Sequence, residues 1–399
     1  MTTVPIHEMA HGGEAVGRVD GKAVFVDGAA PGEVVEVDIH DERGSWARGT
    51  LVSITEPSRH RIDPACRHFG RCGGCQWQFA PREAQAGWKK DIVAGQLRHL
   101  GKIADPDVRS TLTPGPAFGY RNRMDFRVEG GSAALYRRRS KDLEVLEECP
   151  ILSQSIAGML DEVGDLTPLH RITLRAGVNT GDRLAIVSGG LPEEADNWSF
   201  PVCRVRRGRA EAISGDPFLS EVIAGIRFRI TASAFFQNNT QAAELLVQLA
   251  GEALEVSAED TLLDAYAGGG LFALTVGRTA RRILAIESAG MAADDLTFNS
   301  KAAGIDVEVL PGSVEGGIGG GEWTVAVCDP PRTGLGADGV AAVTRTRPRA
   351  VAYVACDPAS LARDARLLAE AGYDFDYAVP VDMFPQTFHV ETVARFQLR

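Results

Sequence analysis

The chain has 399 residues, 44% hydrophobic and 24% charged, which is ordinary globular composition and excludes disordered and collagen-like classes. No apolar run reaches the roughly 18 residues of a membrane span, and Met1–Glu14 lacks the basic and apolar regions of a secretory signal, so a cytoplasmic protein with no membrane partner is expected. The net charge of −11 argues against a polyanionic partner, but residues 43–139 carry 18 basic against 8 acidic side chains, a local surplus fit to track phosphates.

In chain order, residues 1–57 read as short strands between glycine turns: Ala23–Val26, the alternating run Glu33–Ile39, and Ala47–Ile54. The spacing fits a small five-stranded barrel of the oligonucleotide-binding kind. Residues 58–225 form an irregular central region with an amphipathic helix over Pro81–Leu100 and strand-like runs at Asn122–Val128 and Arg171–Leu174. Residues 226–399 alternate regularly. A helix from Thr240, taken as the N-cap, to Leu254 precedes strand Thr261–Ala265, helix Leu271–Val276 and strand Arg282–Glu287. Helix Met291–Ala303, strands Asp306–Leu310, Trp323–Cys328 and Ala350–Ala355, helix Ser360–Ala371 and a hairpin over Tyr373–Leu398 complete the run. The fold class is therefore α/β: a doubly wound parallel sheet preceded by a small β-barrel and a central cysteine-bearing region.

Three motifs fall at the carboxyl ends of these strands, where ligands bind in doubly wound folds, and a fourth leads into the start of the final strand. Asp264-Ala265-Tyr266-Ala267-Gly268-Gly269-Gly270 leaves a strand for a helix, and Glu287 ends the next strand 19 residues after Gly268, placed to accept ribose hydroxyls. Gly268-x-Gly270-x-x-Ala273 also satisfies a dinucleotide pattern, so the glycines alone admit either NAD or S-adenosylmethionine. Asp329-Pro330-Pro331-Arg332 makes a rigid loop that presents Asp329, an arrangement without use in hydride transfer. Cys356 ends a third strand in Ala355-Cys356-Asp357-Pro358; Cys328, the other strand-end thiol, points away from whatever Asp329 faces. Finally, Phe384-Pro385-Gln386 and His389-Val390-Glu391-Thr392 offer His389 or Glu391 as a base.

Cysteines cluster as Cys66-x5-Cys72-x2-Cys75, with Cys149 distant in sequence. Four thiolates suit zinc or an iron–sulfur cluster, and spacing alone leaves both open. Arg121, Arg123, Arg127 and Arg137-Arg138-Arg139 are candidate phosphate contacts, with Tyr120 and Tyr136 available for stacking on unpaired bases.

Taken together, these motifs resemble the RNA uracil-C5 methyltransferases, S-adenosylmethionine-dependent enzymes with an N-terminal TRAM domain. The resemblance runs from end to end and is weakest over 150–225. It implies a Rossmann-like methyltransferase domain, a TRAM barrel that binds RNA and a mixed α+β iron–sulfur centre. Carried over by position, it makes Cys356 the nucleophile and Glu391 the base. Gln237, Tyr266, Glu287 and Asp329 would line the cofactor and uracil pocket. Cys66, Cys72, Cys75 and Cys149 would hold a [4Fe–4S] cluster rather than zinc. The implied reaction forms 5-methyluridine in structured ribosomal or transfer RNA, with no obligate protein partner. Ala267, Leu271, Ala355 and Asp357 depart from the residues that family often carries. A methyltransferase fold that only binds RNA, and an NAD-type oxidoreductase, are the competing expectations.

Overall fold

The computed structural model describes residues 1–316, 318 and 321–399. Five strands, Thr2–Met9, Ala15–Val19, Lys22–Val26, Val34–Glu42 and Trp46–Glu56, close into a barrel in which the first pairs with both the second and the fourth. Alternation sends Val4, Ile6, Val24, Val26, Val35 and Val37 inward, all buried.

The C-terminal sheet matches the expected pattern closely. Its order is Glu308–Pro311, Arg282–Glu287, Thr261–Ala265, Val325–Cys328, Ala350–Ala355, Glu391–Leu398, Tyr373–Val381; the first five run parallel and the last two form the antiparallel edge. Successive residues of each strand feed two cores. Leu262, Ile283, Val325 and Ala352 pack under helices Thr240–Leu254 and Leu271–Thr275, whereas Leu263, Leu284, Ala326 and Tyr353 pack against Gly336–Thr344 and Pro358–Glu370. Chain order runs outward in both directions from Thr261–Ala265, so the switch point lies between Ala265 and Cys328.

Several sequence expectations need correction. Helix Thr240–Leu254 is capped by Asn239, whose side chain accepts from the Ala242 N–H, so Thr240 is the first helical residue and not the cap. Helix Gly336–Thr344 has no counterpart among the expected elements, because its two glycines mask a short apolar face. The central region contains a seven-stranded sheet, ordered Arg209–Ser214, Val202–Arg206, Arg183–Gly189, Leu169–Ala176, Arg123–Glu129, Ser132–Tyr136, Leu143–Val145, with helix Gln154–Val163 on one face. The 225/226 division falls in the turn of a hairpin, Phe218–Ile223 with Ile226–Thr231, whose two strands pair along their length.

Part of residues 58–225 packs on the C-terminal sheet. Helix Arg82–His99 lies against helix Pro358–Glu370, and Val108 and Leu112 bridge in parallel to Ala378 and Val381 at the edge of the C-terminal sheet. The fastening is electrostatic, with Lys89 and Asp382 fully buried and Arg82 at its margin. Lys89 Nζ donates to Asp382 Oδ1 at 2.5 Å and to the Phe384 carbonyl at 3.1 Å, while Arg82 Nε donates to Asp382 Oδ2 at 2.9 Å. Burial pulls the Lys89 pKa down, and the Asp382 carboxylate opposes that pull. Among the described residues, no helix is long and apolar enough to cross a membrane.

Removing the shared anion would strand two cations, one of them wholly out of water. Asp382→Ala is expected to lower stability by about 3–5 kcal/mol, read from thermal or denaturant unfolding. A loss below about 1 kcal/mol would show that water reaches Lys89 and that the pair is not the fastening described.

Candidate active site

Strand Thr261–Ala265 delivers Asp264 into the interior. Its Oδ2 accepts from the Ala273 N–H at 2.7 Å, tying the glycine turn shut from below, and burial pushes its carboxyl well above the usual range. The turn is tight: Tyr266 (φ 65°), Gly268 (φ 56°) and Gly270 (φ 95°) all adopt the left-handed region. At Gly270 a Cβ would lie 2.5 Å from Leu296, so only glycine fits. Glu287 holds the turn from above, its Oε2 accepting from Gly268 N–H at 2.8 Å and its Oε1 from Ala289 N–H at 2.6 Å. Two bonds leave lone pairs on both oxygens for a ligand. Asn299, which no sequence motif flags, donates to the Gly269 carbonyl at 3.0 Å from behind.

The loop carrying Gln237 is positioned by the central sheet. Asn122 N–H donates to the Asn238 carbonyl at 3.0 Å, and buried Arg175 donates to the Ala234 carbonyl at 2.8 Å. Gln237 Nε2 then reaches Asp329 Oδ2 at 3.2 Å. Asp329 comes directly after strand Val325–Cys328, and its removal from water pushes its pKa up to about 7. Glu391, buried at the start of the last strand, is pushed up to about 8 by burial and then by Asp329, with Arg332 opposing. Cys356, half-buried after Ala355, is pushed up to about 12 by burial and by the charges of Glu391 and Asp329. His389 moves the other way, down to about 4, because burial and neighbouring cations disfavour its charged form. Cys328 is fully buried and faces the apolar layer that holds Leu263 and Tyr353, away from the site.

One cavity of about 1250 Å³ gathers these groups. Gln237, Tyr266, Glu287, Asp329, Cys356 and Glu391 all line it, with His389 beside them and Arg121, Arg137, Arg138, Arg139 and Arg332 among its other lining residues. The two ends differ chemically. Glu287 and the glycine turn present a carboxylate and backbone amides, suited to a ribose and its attached group. Asp329, Cys356 and Glu391 present a thiol between two carboxyls that titrate near neutrality, suited to addition to an electrophilic carbon and proton removal.

The basic and aromatic candidates fare unevenly. Tyr120 is buried with its hydroxyl donating to the Pro385 carbonyl at 3.1 Å, so it is a packing residue and not a stacking platform. Tyr136 is exposed, with the Arg127 guanidinium 5.3 Å from its ring centroid. Arg138 pairs with Asp27 at 2.5 Å and Arg139 with Glu14 at 3.1 Å, so the arginine run also ties the central sheet to the barrel. Arg137 pairs with Glu144 at 3.1 Å and Arg123 with Asp125 at 3.6 Å.

Cys66, Cys72, Cys75 and Cys149 line a second, small cavity, and none of them is in a disulfide. Among the described residues, no group of three or more His, Cys, Asp or Glu converges as on a single metal ion. Burial and, after it, the neighbouring thiols raise Cys75 to about 11 and Cys149 to about 12. The loop is braced by Glu144, which accepts from His68 Nδ1 at 3.1 Å and Arg71 Nε at 2.8 Å; those bonds hold its carboxyl down to about 2. Gly74, Leu135 and Ile151 line both cavities.

Comparison with known proteins agrees with this anatomy. Residues 2–52 match the TRAM domain, and residues 219–310 match the tRNA (Uracil-5-)-methyltransferase family. The chain is 33% identical to an uncharacterized RNA methyltransferase of Gloeobacter violaceus, over 99% of this chain and 96% of that one. It is also 33% identical to an uncharacterized RNA methyltransferase of Streptomyces avermitilis, over 98% and 96%. A tRNA (uracil-54, C5)-methyltransferase of Pyrococcus abyssi, solved in complex with S-adenosyl-L-homocysteine, shares the fold with a TM-score of 0.79 at 23% identity, covering 99% of this chain and all of that one. With a relative this similar along nearly its whole length, the chain belongs to the RNA methyltransferases.

Proposed function

We propose that the protein is an S-adenosylmethionine-dependent methyltransferase that forms 5-methyluridine at a specific uridine of ribosomal or transfer RNA. The observation that carries this reading is the single cavity in which a carboxylate-and-amide end, Glu287 with Gly268, meets a thiol-and-carboxyl end, Cys356 with Asp329 and Glu391. The matched uracil-5 family model supports the choice of base, and the TRAM match supports RNA.

Bound S-adenosylmethionine would supply an electrophilic methyl group, with Glu287 holding its ribose and Tyr266 and Gln237 at its flanks. Uracil C5 is a weak nucleophile. As the Cys356 thiol passes its proton to the Asp329 carboxylate, its sulfur adds to C6, forming an S–C6 bond and moving the C5–C6 π electrons into a C4 enolate, so that C5 can attack. After C5 takes the methyl group, Glu391 removes the C5 proton; the freed pair rebuilds the double bond and expels the thiolate. Gln237 and Asp329 orient the base, and Asp329, having taken the thiol proton, donates a hydrogen bond to O4 as charge develops there. The target must leave its stack to reach Cys356, which favours an unpaired uridine. The barrel over 1–57 and the central region over 58–225 would hold the RNA, and residues 226–399 would perform the transfer.

The four cysteines are proposed to hold a [4Fe–4S] cluster in preference to zinc. What supports the choice is the family resemblance together with four free thiols lining one small cavity, since four thiolates are the ligand set of such a cluster. Its contribution is a cross-link between the Cys66–Cys75 loop and Cys149. We also propose a cytoplasmic setting, where the seven free cysteines stay reduced.

Protein incubated with S-adenosylmethionine and separate pools of unmodified ribosomal and transfer RNA should yield 5-methyluridine in one pool, read by nucleoside mass spectrometry. Its absence from both, with cofactor binding intact, favours the RNA-binding reading instead. Cys356→Ala should reduce turnover by about 10⁴-fold or more while leaving binding of S-adenosylhomocysteine unchanged. Because Glu391 acts deprotonated and its pKa is raised to about 8, the single-turnover rate should climb with pH between 6 and 8 and level above; a flat profile would remove it as the base. Protein purified without oxygen should contain about four irons and four sulfides per chain, and a colourless zinc protein would overturn the cluster.

A further inference from the structure

Beyond Ala355, whose strand partner is Thr392, the chain has left the ladder of the C-terminal sheet, so Cys356 takes its orientation from the residue on its C-terminal side. That neighbour is Asp357. Its Oδ1 accepts from the Ser360 N–H at 2.7 Å and caps helix Pro358–Glu370. The Asp357 carbonyl also accepts from Ser360 Oγ at 2.8 Å and Leu361 N–H at 3.1 Å, which ties its C-terminal side to the helix. The second oxygen, Oδ2, is held at 2.9 Å by Nε2 of His11, which belongs to the barrel and lies 346 residues away in sequence.

The tip that presents His11 is itself braced. Ala10 N–H donates to the Glu14 carbonyl at 2.8 Å and Gly13 N–H to the Ala10 carbonyl at 3.0 Å. The Gly13 carbonyl accepts from Trp77 Nε1 at 3.1 Å, and Glu14 is paired with Arg48 at 2.8 Å. Gly13 lies flat on Phe388, so close that a Cβ there would meet the ring at 2.7 Å. The barrel therefore touches both loops that carry the reacting groups, the one after Cys356 and the one before Glu391.

We propose that His11 is a positioning residue: by fixing the free oxygen of Asp357 it sets the peptide that aims Cys356 at the uracil. The inference rests on the reading of Cys356 as nucleophile. It also gives a physical reason for aspartate at 357, where the family resembled often has asparagine. A carboxylate accepts at both oxygens, one for the helix cap and one for His11 with Nε2 protonated, whereas a carboxamide offers a single acceptor.

The test separates aim from binding. Transfer and ribosomal RNA transcripts made with 5-fluorouridine are mixed at saturating concentration with S-adenosylmethionine and enzyme. Fluorine on C5 does not leave as a cation, so the S–C6 bond persists and the covalent adduct is counted on a denaturing gel. His11→Ala is expected to slow adduct formation by about tenfold or more while changing RNA affinity by less than about twofold, and His11→Gln, which returns a donor at similar reach, should restore most of the rate. Adduct formation at the wild-type rate in His11→Ala would overturn the proposal. So would a loss confined to RNA affinity, which would make His11 an RNA contact, and so would a glutamine variant no better than alanine. No adduct from the wild-type protein would instead overturn the nucleophile reading, and the role of His11 with it.

Discussion

The five parallel strands of the C-terminal sheet end at one edge, and that constraint fixes nearly everything else about the site. Strand ends are the places where a chain leaves its ladder, so side chains there are free to face a crevice. Ala265, Glu287, Cys328 and Ala355 lie at neighbouring strand ends, which is why Tyr266, Glu287, Asp329 and Cys356 meet despite being spread over ninety residues of sequence. The antiparallel strand Glu391–Leu398, whose Thr392 pairs with Ala355, then brings Glu391 in from the opposite direction. Burial raises the proton affinity of Asp329, Glu391 and Cys356 alike; the Asp329 charge adds to the rise at Glu391, and both carboxylates add to it at Cys356.

The part of this that is legible in the sequence obeys the same logic. Buried parallel strands are short continuous apolar runs punctuated by glycine, and Thr261–Ala265, Arg282–Glu287 and Ala350–Ala355 occupy the spans their patterns suggest. Motifs at the ends of such strands face one crevice whatever the loops do, so Tyr266, Glu287, Asp329 and Cys356 stand out in the sequence and line one cavity; Glu391, in the motif that opens the final strand, lines it too, and so does Gln237, which only the family resemblance names. The pattern fails where partners are distant. Nothing around Arg82–His99 announces that Lys89 will be matched by Asp382, and nothing around His11 announces Asp357. The central sheet is illegible for a related reason: its strands carry arginines and glutamates that are satisfied only across the sheet, as Arg171 and Thr173 are by Asp125. Tyr120 misleads because a tyrosine hydroxyl buried on a backbone carbonyl looks, in sequence, like one waiting for a base.

The cysteine cavity and the larger one meet across Gly74, Leu135 and Ile151. A wall one side chain thick means that whatever orders the Cys66–Cys75 loop also sets the floor beside Tyr136 and Arg137. Glu144 reinforces that coupling, since the carboxylate that anchors His68 and Arg71 on the thiol loop also receives Arg137 from the cavity's rim.

The fastening of Lys89 on Asp382, and of Gln85 on Gln386, joins positions about three hundred residues apart. On the ribosome the barrel and central sheet emerge first and have every local partner they need, but the helix bearing Lys89 must wait with its charge uncovered. The loop that receives it, together with the residues leading into Glu391, is made only after both. The catalytic cavity therefore lacks its general base, and its fastening to the helix that carries Lys89, until residues 382–391 have been made.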